Sequence, residues 1–459
     1  MCSVKLFVLY TTANNVLKRL THFFNRSSSR KATDDQCVLT SNEHSLDPAD
    51  ICKNAREVVR VLQSRNFEAY VVGGCVRDIL LGFKPKDFDI ATNATPQQVK
   101  RLFRRSRIIG RRFQIVHVQF GRDIIEVTTF RSNDTEHTNL VQQAESGLLT
   151  RDNKFGSLVD DATRRDLTIN ALYYDTEKNC LHDYCDGLDD LESRTIRIIG
   201  TPSTRYSEDP VRMLRVARFA GKLGFDIDPK SSKPMVKLGH KLKHVSSPRM
   251  FDETLKLFMS GYGLDVFERL LEYKLFAHLV PQTNRLIEQG HPTALAMVKQ
   301  ALTNTDLRIQ NKQRVTPAFI YAAMLWPAVQ KTAQELQNHG QPATTAINKA
   351  ASEVISNQIP ITAIPKRFTL AMREIWAMQL TLSKRGGNRA NRLMEQPRFR
   401  AAYDFVLLRE QTGEQLDGLG DWWTKYQDVD EEARHKMVQK LNAGQSKGRR
   451  PRRRPRQSD

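Results

Sequence analysis

YVVGGCVRDILLGFKPKDFDIAT, from Tyr70 to Thr92, is the stretch that decides the fold of this chain. Its apolar start predicts a buried strand that ends in a turn at Gly73 and Gly74. The next residues predict a short helix that ends at Gly82, and KDFDIAT predicts a second strand. A strand, a glycine turn, a helix and another strand in so short a segment indicate an α+β domain.

The end of this stretch carries two carboxylates, Asp87 and Asp89. Because side chains alternate along a strand, both are expected to project from one face while Phe88 and Ile90 point into the core. Mg²⁺ prefers oxygen ligands and usually keeps water and substrate phosphates, so this pair is well placed to share divalent cations. The alternative is a solvent-facing strand edge with two exposed charges.

A predicted β-hairpin follows and supplies a third carboxylate. RRFQIVHVQF and DIIEVTTF both alternate between apolar and polar residues, with Gly121 and Arg122 between them. Glu126 shares one face of the second strand with Thr128. The polar segment 131–152 that comes next is predicted to be a loop.

The glycine turn adds a feature suited to phosphate. Glycine lets backbone N–H groups approach a phosphate closely, and a helix N-terminus favours anions. Arg77 lies in the first turn of the helix that Gly73 and Gly74 open. Combined with the three carboxylates, this pattern predicts a two-metal site in which an attacking hydroxyl is activated and an in-line phosphoryl displacement is stabilised. Nucleotidyl transfer is the favoured interpretation.

RRDLTINAL is a second candidate cluster, with Arg164, Arg165, Asp166 and Asn170 in one turn-rich segment. One interpretation is arginines that bind a triphosphate and a carboxylate that binds a ribose hydroxyl. The other is a salt-bridged helix cap, and the sequence leaves both open.

The third cluster is YSEDPVRMLRVARFAGKLGF, which predicts a helix with Ser207 as its N-cap and with Glu208 and Asp209 in its first turn. One arc of this helix is apolar and fits a core. The opposite arc carries four cations with no carboxylate at i+4, which favours a basic face turned toward phosphate over a solvated surface. These four cations are Arg212, Arg215, Arg218 and Lys222.

The charge balance agrees with a polyanionic partner. The chain has 459 residues, with 71 Lys and Arg against 51 Asp and Glu, which gives a net charge of +20. Such an excess indicates nucleic acid or an anionic membrane surface. The segment 447–456, KGRRPRRRPR, holds only part of this excess.

The six cysteines include no CxxC pair, so a reducing cytoplasm is the expected setting. Cys180, His182 and Cys185 lie close in sequence, but a fourth ligand with zinc spacing is missing. No apolar run approaches the ~18 residues that cross a bilayer, and we expect no secretory signal.

Periodicity divides the chain into segments. We expect a flexible leader at 1–45, an α+β head at 46–200, helices at 201–270 and 271–440, and a disordered Arg-rich tail at 441–459.

Three of these motifs, VVGGCVRDILLGFKPKDFDIAT, RRDLTINALYYD and EDPVRMLRVARFA, occur in the order typical of class II polynucleotide nucleotidyltransferases. The chain resembles that superfamily most strongly over about 50–270. That superfamily contains the CCA-adding tRNA enzymes and the bacterial poly(A) polymerases. The resemblance implies a polymerase-β-like head with a mixed sheet, a helical neck at 201–270 and an RNA-binding helical body at 271–440.

Within the superfamily, the segment Ile108–Phe120, the long helical body and the Arg/Pro tail resemble bacterial poly(A) polymerases. The chain also lacks the C-terminal HD-type His-Asp pair that some CCA-adding relatives carry. The CCA-adding enzymes are the alternative. A non-catalytic RNA-binding protein and a glycosyltransferase with a DxD metal site fit the motifs less well.

The resemblance implies a role for each motif. Asp87 and Asp89 resemble the metal-binding catalytic aspartates, and Glu126 resembles the third acidic residue of the site. Asp166 with Arg165 resembles the ribose and triphosphate motif, which belongs to the active centre. Residues similar to the triphosphate-binding and base-reading motifs, with the basic face that continues them, are Gly73, Gly74, Arg77, Glu208, Asp209, Arg212 and Arg215.

The implied reaction is template-independent addition of AMP from ATP to RNA 3′ ends with release of pyrophosphate, in RNA turnover and quality control. Two Mg²⁺ ions are implied, with Mn²⁺ as a substitute. The expected partners are RNA and proteins of RNA decay, and the expected state is a monomer without membrane association. Cys75 stands where relatives often have Gly or Ala, so thiol-reactive inhibitors are expected to act there.

Overall fold

The computed structural model describes residues 38–110, 114–132, 141–143, 149–152 and 155–446. The chain divides into two compact units, Met1–His244 and Val245–Asp459. The division lies inside the predicted neck at 201–270. Strands and helices mix in the first unit and the described part of the second unit is helical, which confirms the predicted α+β class.

The first unit is built on a mixed sheet of short strands. In chain order the strands are β1 (Val38–Leu39), β2 (Ala69–Val72), β3 (Asp89–Thr92), β4 (Ser106–Ile109), β5 (Ile115–Phe120), β6 (Asp123–Thr129), β7 (Val141–Gln143), β8 (Leu149–Asp152), β9 (Leu172–Asp175), β10 (Cys180–Asp183), β11 (Thr195–Ile196) and β12 (Asp226–Ile227).

Eight of these strands form one sheet in the order β1-β10-β9-β2-β3-β6-β5-β4. The β3–β6 pair is parallel and the other neighbours are antiparallel. The predicted hairpin is confirmed as β5 and β6, with Gly121 at φ +60 in its turn. Fully buried strands such as β2 hold the sheet inside the unit, because each buried apolar side chain contributes about 1.5–3 kcal/mol.

Helices cover this sheet and continue into the second half of the unit. Several begin at side-chain or proline signals, such as the capping box of Thr95 and Gln98. They are α1 (Lys53–Gln63), α2 (Gly74–Leu80), α3 (Pro96–Leu102), α4 (Leu158–Arg164), α5 (Gly187–Glu192), α6 (Pro202–Glu208), α7 (Val211–Leu223) and α8 (Pro229–Leu238), with 3₁₀ turns at Pro48–Asp50, Thr168–Asn170 and Gly239–His244.

The described end of the predicted flexible leader is structured. Val38 pairs with His182 and Leu39 with Leu181, so this segment adds the edge strand β1 to the sheet. His44 is buried behind it and contacts the Tyr174 ring edge-on. The prediction is therefore wrong for 38–45, because pairing with a strand far along the chain leaves no local signal. Residues 1–37 lie outside the described part.

Two further expectations about segments need correction. The loop predicted at 131–152 contains the antiparallel pair β7 and β8. Ser207 is not an N-cap: it lies inside α6, where its Oγ donates to the Ser203 carbonyl at 2.8 Å. Asp209 and Pro210 separate α6 from α7, because proline lacks an N–H and the residue before it avoids helical geometry.

The second unit packs its helices around aromatic side chains. Trp376, Trp423 and Phe405 are fully buried, and the indole N–H of Trp376 donates to the Ala322 carbonyl at 3.2 Å. The helices are α9 (Ser247–Phe258), α10 (Gly263–Glu272), α11 (Phe276–Leu279), α12 (Pro281–Glu288), α13 (Ala294–Gln310), α14 (Pro317–Asn338), α15 (Ala343–Gln358), α16 (Lys366–Thr381), α17 (Arg389–Met394), α18 (Phe399–Gln411), α19 (Leu419–Asp428) and α20 (Glu431–Ser446).

The last helix, α20, continues to Ser446, past the predicted start of the tail at 441. The Arg-rich residues 447–459 lie outside the described part. No helix in the described ranges is long and apolar enough to cross a membrane.

Candidate active site

Strand register brings two of the predicted carboxylates together. Asp89 is the first residue of β3 and lies in register with Glu126 of β6. Residues directly opposite on neighbouring strands share a face of the sheet, with strand axes about 4.8 Å apart. The two carboxylates are therefore side by side on one face of the first unit.

Asp87 lies outside the strand, contrary to the expectation that it shares a strand repeat with Asp89. β2 ends at Val72, opposite Asp89, because Gly73 turns the chain into α2. No backbone remains for Asp87 to pair with, and its side chain is exposed. The alternation argument therefore does not place it, although its charge still acts on Asp89.

The acidic cluster has an electrostatic cost. Burial and the charges of Glu126 and Asp87 together raise the pKa of Asp89 to about 6, although Arg165 acts against them. A carboxylate in this position resists ionisation unless a cation compensates for its neighbours. This stretch of sheet is therefore a place where positive charge is favoured.

The donor set fits Mg²⁺ as an open site rather than a closed cage. Within the described ranges, no three His, Cys, Asp or Glu side chains are close enough to hold a metal ion between them. Mg²⁺ is usually held by one or two carboxylates with water and substrate phosphates as the remaining ligands. Asp89 and Glu126, with the exposed Asp87 nearby in sequence, match that demand.

His117 of β5 is a neighbour that the sequence interpretation missed. It lies in register with Glu126, and its Nε2 is 3.4 Å from Glu126 Oε1. The alternation of RRFQIVHVQF puts it on the same face as Glu126, so the strand pattern contained this signal.

The glycine turn lies beside an arginine. Gly73 has φ +82, a left-handed conformation that side chains rarely adopt. A Cβ added there would lie 3.5 Å from Arg165 Nη1, and one on Gly74 would lie 3.5 Å from Arg77 Nη2. The absence of side chains at both glycines thus leaves room for two guanidinium groups beside the turn, where the buried Gly73 N–H already donates to the Leu172 carbonyl at 3.2 Å.

A buried network holds Arg165. Its Nη2 is 3.1 Å from Asp161 Oδ2 and its Nε donates to the Tyr173 hydroxyl at 2.6 Å, while that hydroxyl donates to Asp161 at 2.6 Å. Burial disfavours the charge of Arg165, but Tyr173 and Asp161 raise its pKa overall. Asp161 was missed because it lies outside the three motifs. Tyr173 was missed although it lies inside RRDLTINALYYD, because its position in an apolar strand pattern gives no sign of a polar contact.

Asp166 and Arg215 form an ion pair between the RRD segment and α7. Asp166 Oδ1 also accepts from the Leu167 N–H at 2.9 Å. Burial alone would raise the pKa of Asp166, but Arg215 together with this hydrogen bond lowers it well below its usual value. Asp166 is therefore ionised and held in a fixed orientation.

Glu208 lies at the end of α6 and binds two arginines. Its Oε2 is 3.1 Å from Arg205 Nη1 and 2.7 Å from Arg212 Nη1. Arg205 also donates to the carbonyls of Arg164 and Arg165. Arg205 therefore links the predicted base-reading motif to the RRD segment, a connection that no sequence spacing indicated.

The basic face of α7 is less free than its sequence suggests. Three of its four cations have a carboxylate supplied by another segment: Glu208 for Arg212, Asp166 for Arg215, and Asp78 for Lys222 at 3.8 Å. The expectation of four unbalanced cations is wrong for these three. Their partners come from α6, the RRD segment and α2, so a search for i+4 carboxylates within the helix cannot find them.

Asp209 and Arg77 occupy supporting positions. Asp209 is the C-cap of α6, and its Oδ1 accepts from the Val211 N–H at 3.3 Å. Arg77 is only 2% exposed, and it donates to Asp78 Oδ1 at 2.6 Å and to Asn170 Oδ1 at 2.5 Å. Arg77 thus ties α2 to the RRDLTINAL segment.

Cys75 is inert in this fold. The thiol is buried, donates to the Val72 carbonyl at 3.3 Å, and has a pKa raised to about 12 by burial. Since the thiolate is the reactive form, the expected attack by thiol-reactive inhibitors is wrong. Elsewhere, Cys180 Sγ lies 3.6 Å from His182 Nε2, because both side chains project from one face of β10.

Family models match three regions of the chain. The poly(A) polymerase head domain matches residues 69–197, the "probable RNA and SrmB-binding site of polymerase A" matches 224–287, and the "polymerase A arginine-rich C-terminus" matches 339–458. The first match contains the acidic cluster, the glycine turn and the RRD segment.

Curated relatives give the same assignment. Poly(A) polymerase I of Escherichia coli O6:H1 is 44% identical over 91% of both chains, and that of Haemophilus influenzae is 43% identical over 88% of this chain and 91% of its own. The CCA-adding enzyme of Bacillus subtilis is 35% identical over only 49% of this chain and 55% of its own.

Solved structures support the fold. A tRNA-processing enzyme in an apo form matches 84% of this chain and 99% of its own with a TM-score of 0.57 at 20% identity. A tRNA-processing enzyme solved with CTP matches with a TM-score of 0.53 at 19% identity. With relatives similar over nearly their whole length and a matching head domain, the chain belongs to the poly(A) polymerase I family of nucleotidyltransferases.

Proposed function

We propose that this chain adds AMP from ATP to RNA 3′ ends without a template and releases pyrophosphate. The observation that carries the proposal is the register pair Asp89–Glu126, which lies beside the end of β2 before the Gly73 turn and within the field of Arg165. Such a cluster attracts divalent cations and the phosphates they carry. The relatives from Escherichia coli and Haemophilus influenzae, which match most of this chain, are named poly(A) polymerase I.

Asp89 and Glu126 would hold the metal as the two adjacent carboxylates, and the exposed Asp87, outside the strand, would complete the acidic set. When bound, Mg²⁺ would lower the pKa of the RNA 3′-hydroxyl and stabilise charge on the phosphates. His117 Nε2 lies 3.4 Å from Glu126 Oε1. The 3′ end of the RNA would therefore meet a polar surface beside the acidic pair.

Arg165 would contact the triphosphate above Gly73. Asp161 and Tyr173 fix its guanidinium, so little conformational entropy remains to be lost on binding. A side chain at Gly73 would both strain the turn and approach Arg165, so glycine leaves room for this guanidinium beside the turn. Arg77 acts from the interior by holding α2, and through it Gly74, against Asn170.

The nucleoside would be recognised by the ion pairs Asp166–Arg215 and Glu208–Arg212. Asp166, ionised and oriented by Arg215, is suited to accept hydrogen bonds from ribose hydroxyls. Glu208 and Arg212 offer an acceptor and a donor side by side, which matches the N6 amino donor and N1 acceptor of adenine. Asp209 holds the junction of α6 and α7 that carries this pair.

The RNA substrate, the location in the cell and the protein partners belong to the same proposal. RNA is the substrate, and the basic helical body and residues 447–459 would hold its backbone without reading sequence. A cytoplasmic location, a monomeric state and recruitment by proteins of RNA decay complete the proposal.

The test is incorporation of each of the four nucleotides, singly, on a generic RNA and on a tRNA that lacks its 3′ end. We expect long extension of the generic RNA with ATP and Mg²⁺, and none with CTP. Addition of two C residues to the tRNA with CTP alone, and a stop after C-C-A once ATP is also supplied, would identify a CCA-adding enzyme. Failure to incorporate any nucleotide, with RNA binding intact, would leave a non-catalytic RNA-binding protein.

A further inference from the structure

A groove of about 570 Å³ lies at the β4 edge of the sheet, away from the groups assigned above. Its walls come from the end of α3, the start of β4 and the β5–β6 turn. Phe103 and Phe120 line it and are half-buried, while Arg104 and Arg105 line it and are exposed. The groove therefore offers aromatic surface and positive charge together.

The charge of this edge is not balanced locally. Arg104, Arg105 and the exposed Arg107 of β4 form no ion pair with any residue in the described ranges. The neighbouring carboxylate, Asp123, accepts instead from Asn54, which also lines the groove, at 3.2 Å. Three exposed guanidinium groups at one edge of the sheet make a positively charged surface that attracts polyanions.

The strand register connects this edge to the acidic cluster. Arg107 lies opposite His117, His117 lies opposite Glu126, and Glu126 lies beside Asp89. These four side chains form a row on one face of the sheet. With neighbouring strands about 4.8 Å apart, the row spans roughly 14 Å from Asp89 to Arg107. Arg105 precedes β4 at the same edge, where its carbonyl accepts from the Gln119 N–H at 2.8 Å.

We propose that this edge, defined by Phe103, Arg104, Arg105, Arg107 and Phe120, binds single-stranded RNA a few nucleotides upstream of the 3′ end that reacts at Asp89. The arginines contact phosphates, and the two phenylalanine rings stack bases, a combination that binds single strands without sequence preference. Phe120 pairs with Asp123 and projects from the face of the sheet opposite to His117, so RNA that reaches the groove passes around the β4 edge, where Arg107 faces the acidic row. Charge complementarity together with aromatic surface favours RNA over an acidic protein or an anionic membrane. The proposal rests on the proposed function, because that function supplies the RNA.

The first experiment measures RNA binding directly, so that it does not depend on catalysis. Arg104→Gln/Arg105→Gln is compared with Arg65→Gln/Lys178→Gln, which removes two exposed head cations outside this edge. Binding of a 20-nucleotide oligo(A) is followed across a salt series in EDTA. We expect the slope of log Kd against log salt to fall by about 1.4 for the first variant only, since each contact with single-stranded nucleic acid contributes about 0.7.

The second experiment compares primers. For the wild type and both variants, KM and kcat are measured on a 20-nucleotide and a three-nucleotide primer. The edge variant should raise KM for the long primer several-fold and leave kcat and the short primer unchanged. RNA with 4-thiouridine at single positions should crosslink to a peptide containing Phe103 or Phe120 from upstream positions.

Equal slopes for the two double variants, or crosslinks confined to other segments, would overturn the proposal and leave this edge for an acidic protein or a membrane. If the wild type incorporated no AMP, but the slope of log Kd against log salt were still lower for Arg104→Gln/Arg105→Gln than for the wild type, the proposed function would fail. The RNA-binding edge would then stand.

Discussion

The acidic cluster and the arginine-paired cluster of the candidate site are held in opposite ways. Asp89 and Glu126 are brought together by backbone register, while Arg165 acts on Asp89 through its field and His117 Nε2 lies 3.4 Å from Glu126 Oε1. Asp166 and Glu208 are each bound by arginines from other elements. The first cluster is therefore built to receive cations, and the second is already neutralised and oriented before a substrate arrives.

The largest expected effect comes from Asp89→Asn. AMP incorporation should fall by about a thousandfold, because loss of a metal ligand removes several kcal/mol of transition-state stabilisation. The thermal stability of the variant without metal should be equal to or above that of the wild type, since a carboxylate with a raised pKa is removed from beside Glu126.

Metal-dependent stability checks the same residue without activity. Mg²⁺ should raise the Tm of the wild type, because a ligand that binds only the folded state stabilises it, and should raise that of Asp89→Asn far less. Asp189→Asn, an exposed carboxylate of the same unit, is the control and should behave as the wild type. An equal Mg²⁺ response in all three proteins would remove the acidic cluster as the metal site.

The next effect concerns the paired cluster. Arg215→Gln leaves Asp166 without its cation, and loss of one partner of a poorly exposed pair costs about 3 kcal/mol. Because Arg215 and a backbone N–H lower the folded pKa of Asp166, the pair stabilises the wild type above the unfolded pKa of about 3.9 and is lost as pH falls toward the folded value.

Urea unfolding between pH 7 and pH 2 measures this difference. The gap in unfolding free energy between wild type and Arg215→Gln should be largest near pH 7 and should shrink as the solution is acidified below pH 4. A gap that stayed constant with pH would mean that Arg215 contributes packing and not charge, and the contrast between the two clusters would fail.

The smallest effect is expected from Tyr173→Phe. The change removes the hydroxyl that lies between Arg165 and Asp161, at a cost of about 1 kcal/mol of stability. If this hydroxyl orients Arg165, KM for ATP should rise a few-fold with kcat nearly unchanged. Tyr174→Phe is the matched control: Tyr174 lies next to Tyr173 on β9, and its hydroxyl donates to Asn179. This variant should affect stability alone. Equal KM values in the two variants would make the network structural only.

The sequence predicted the parts of the site that depend on local pattern. The strand ending at Val72, the turn at Gly73 and the hairpin that carries Glu126 follow from apolar alternation and glycine placement. Prediction failed for Asp87, because the end of its partner strand, and not its own pattern, decides where pairing stops. Prediction failed for Ser207 because it lies inside the helix Pro202–Glu208, and the next helix has Pro210 as its N-cap.

The sequence by itself determined that this chain has an α+β head with a clustered set of carboxylates and an excess of positive charge, since alternation, turn residues and composition are local properties. Only the tertiary structure decided which charges meet. Asp161, Tyr173 and Arg205 joined the site, and three cations of α7 gained carboxylates, through contacts between segments distant in sequence. Such contacts depend on the packing of whole elements, and no residue spacing records them.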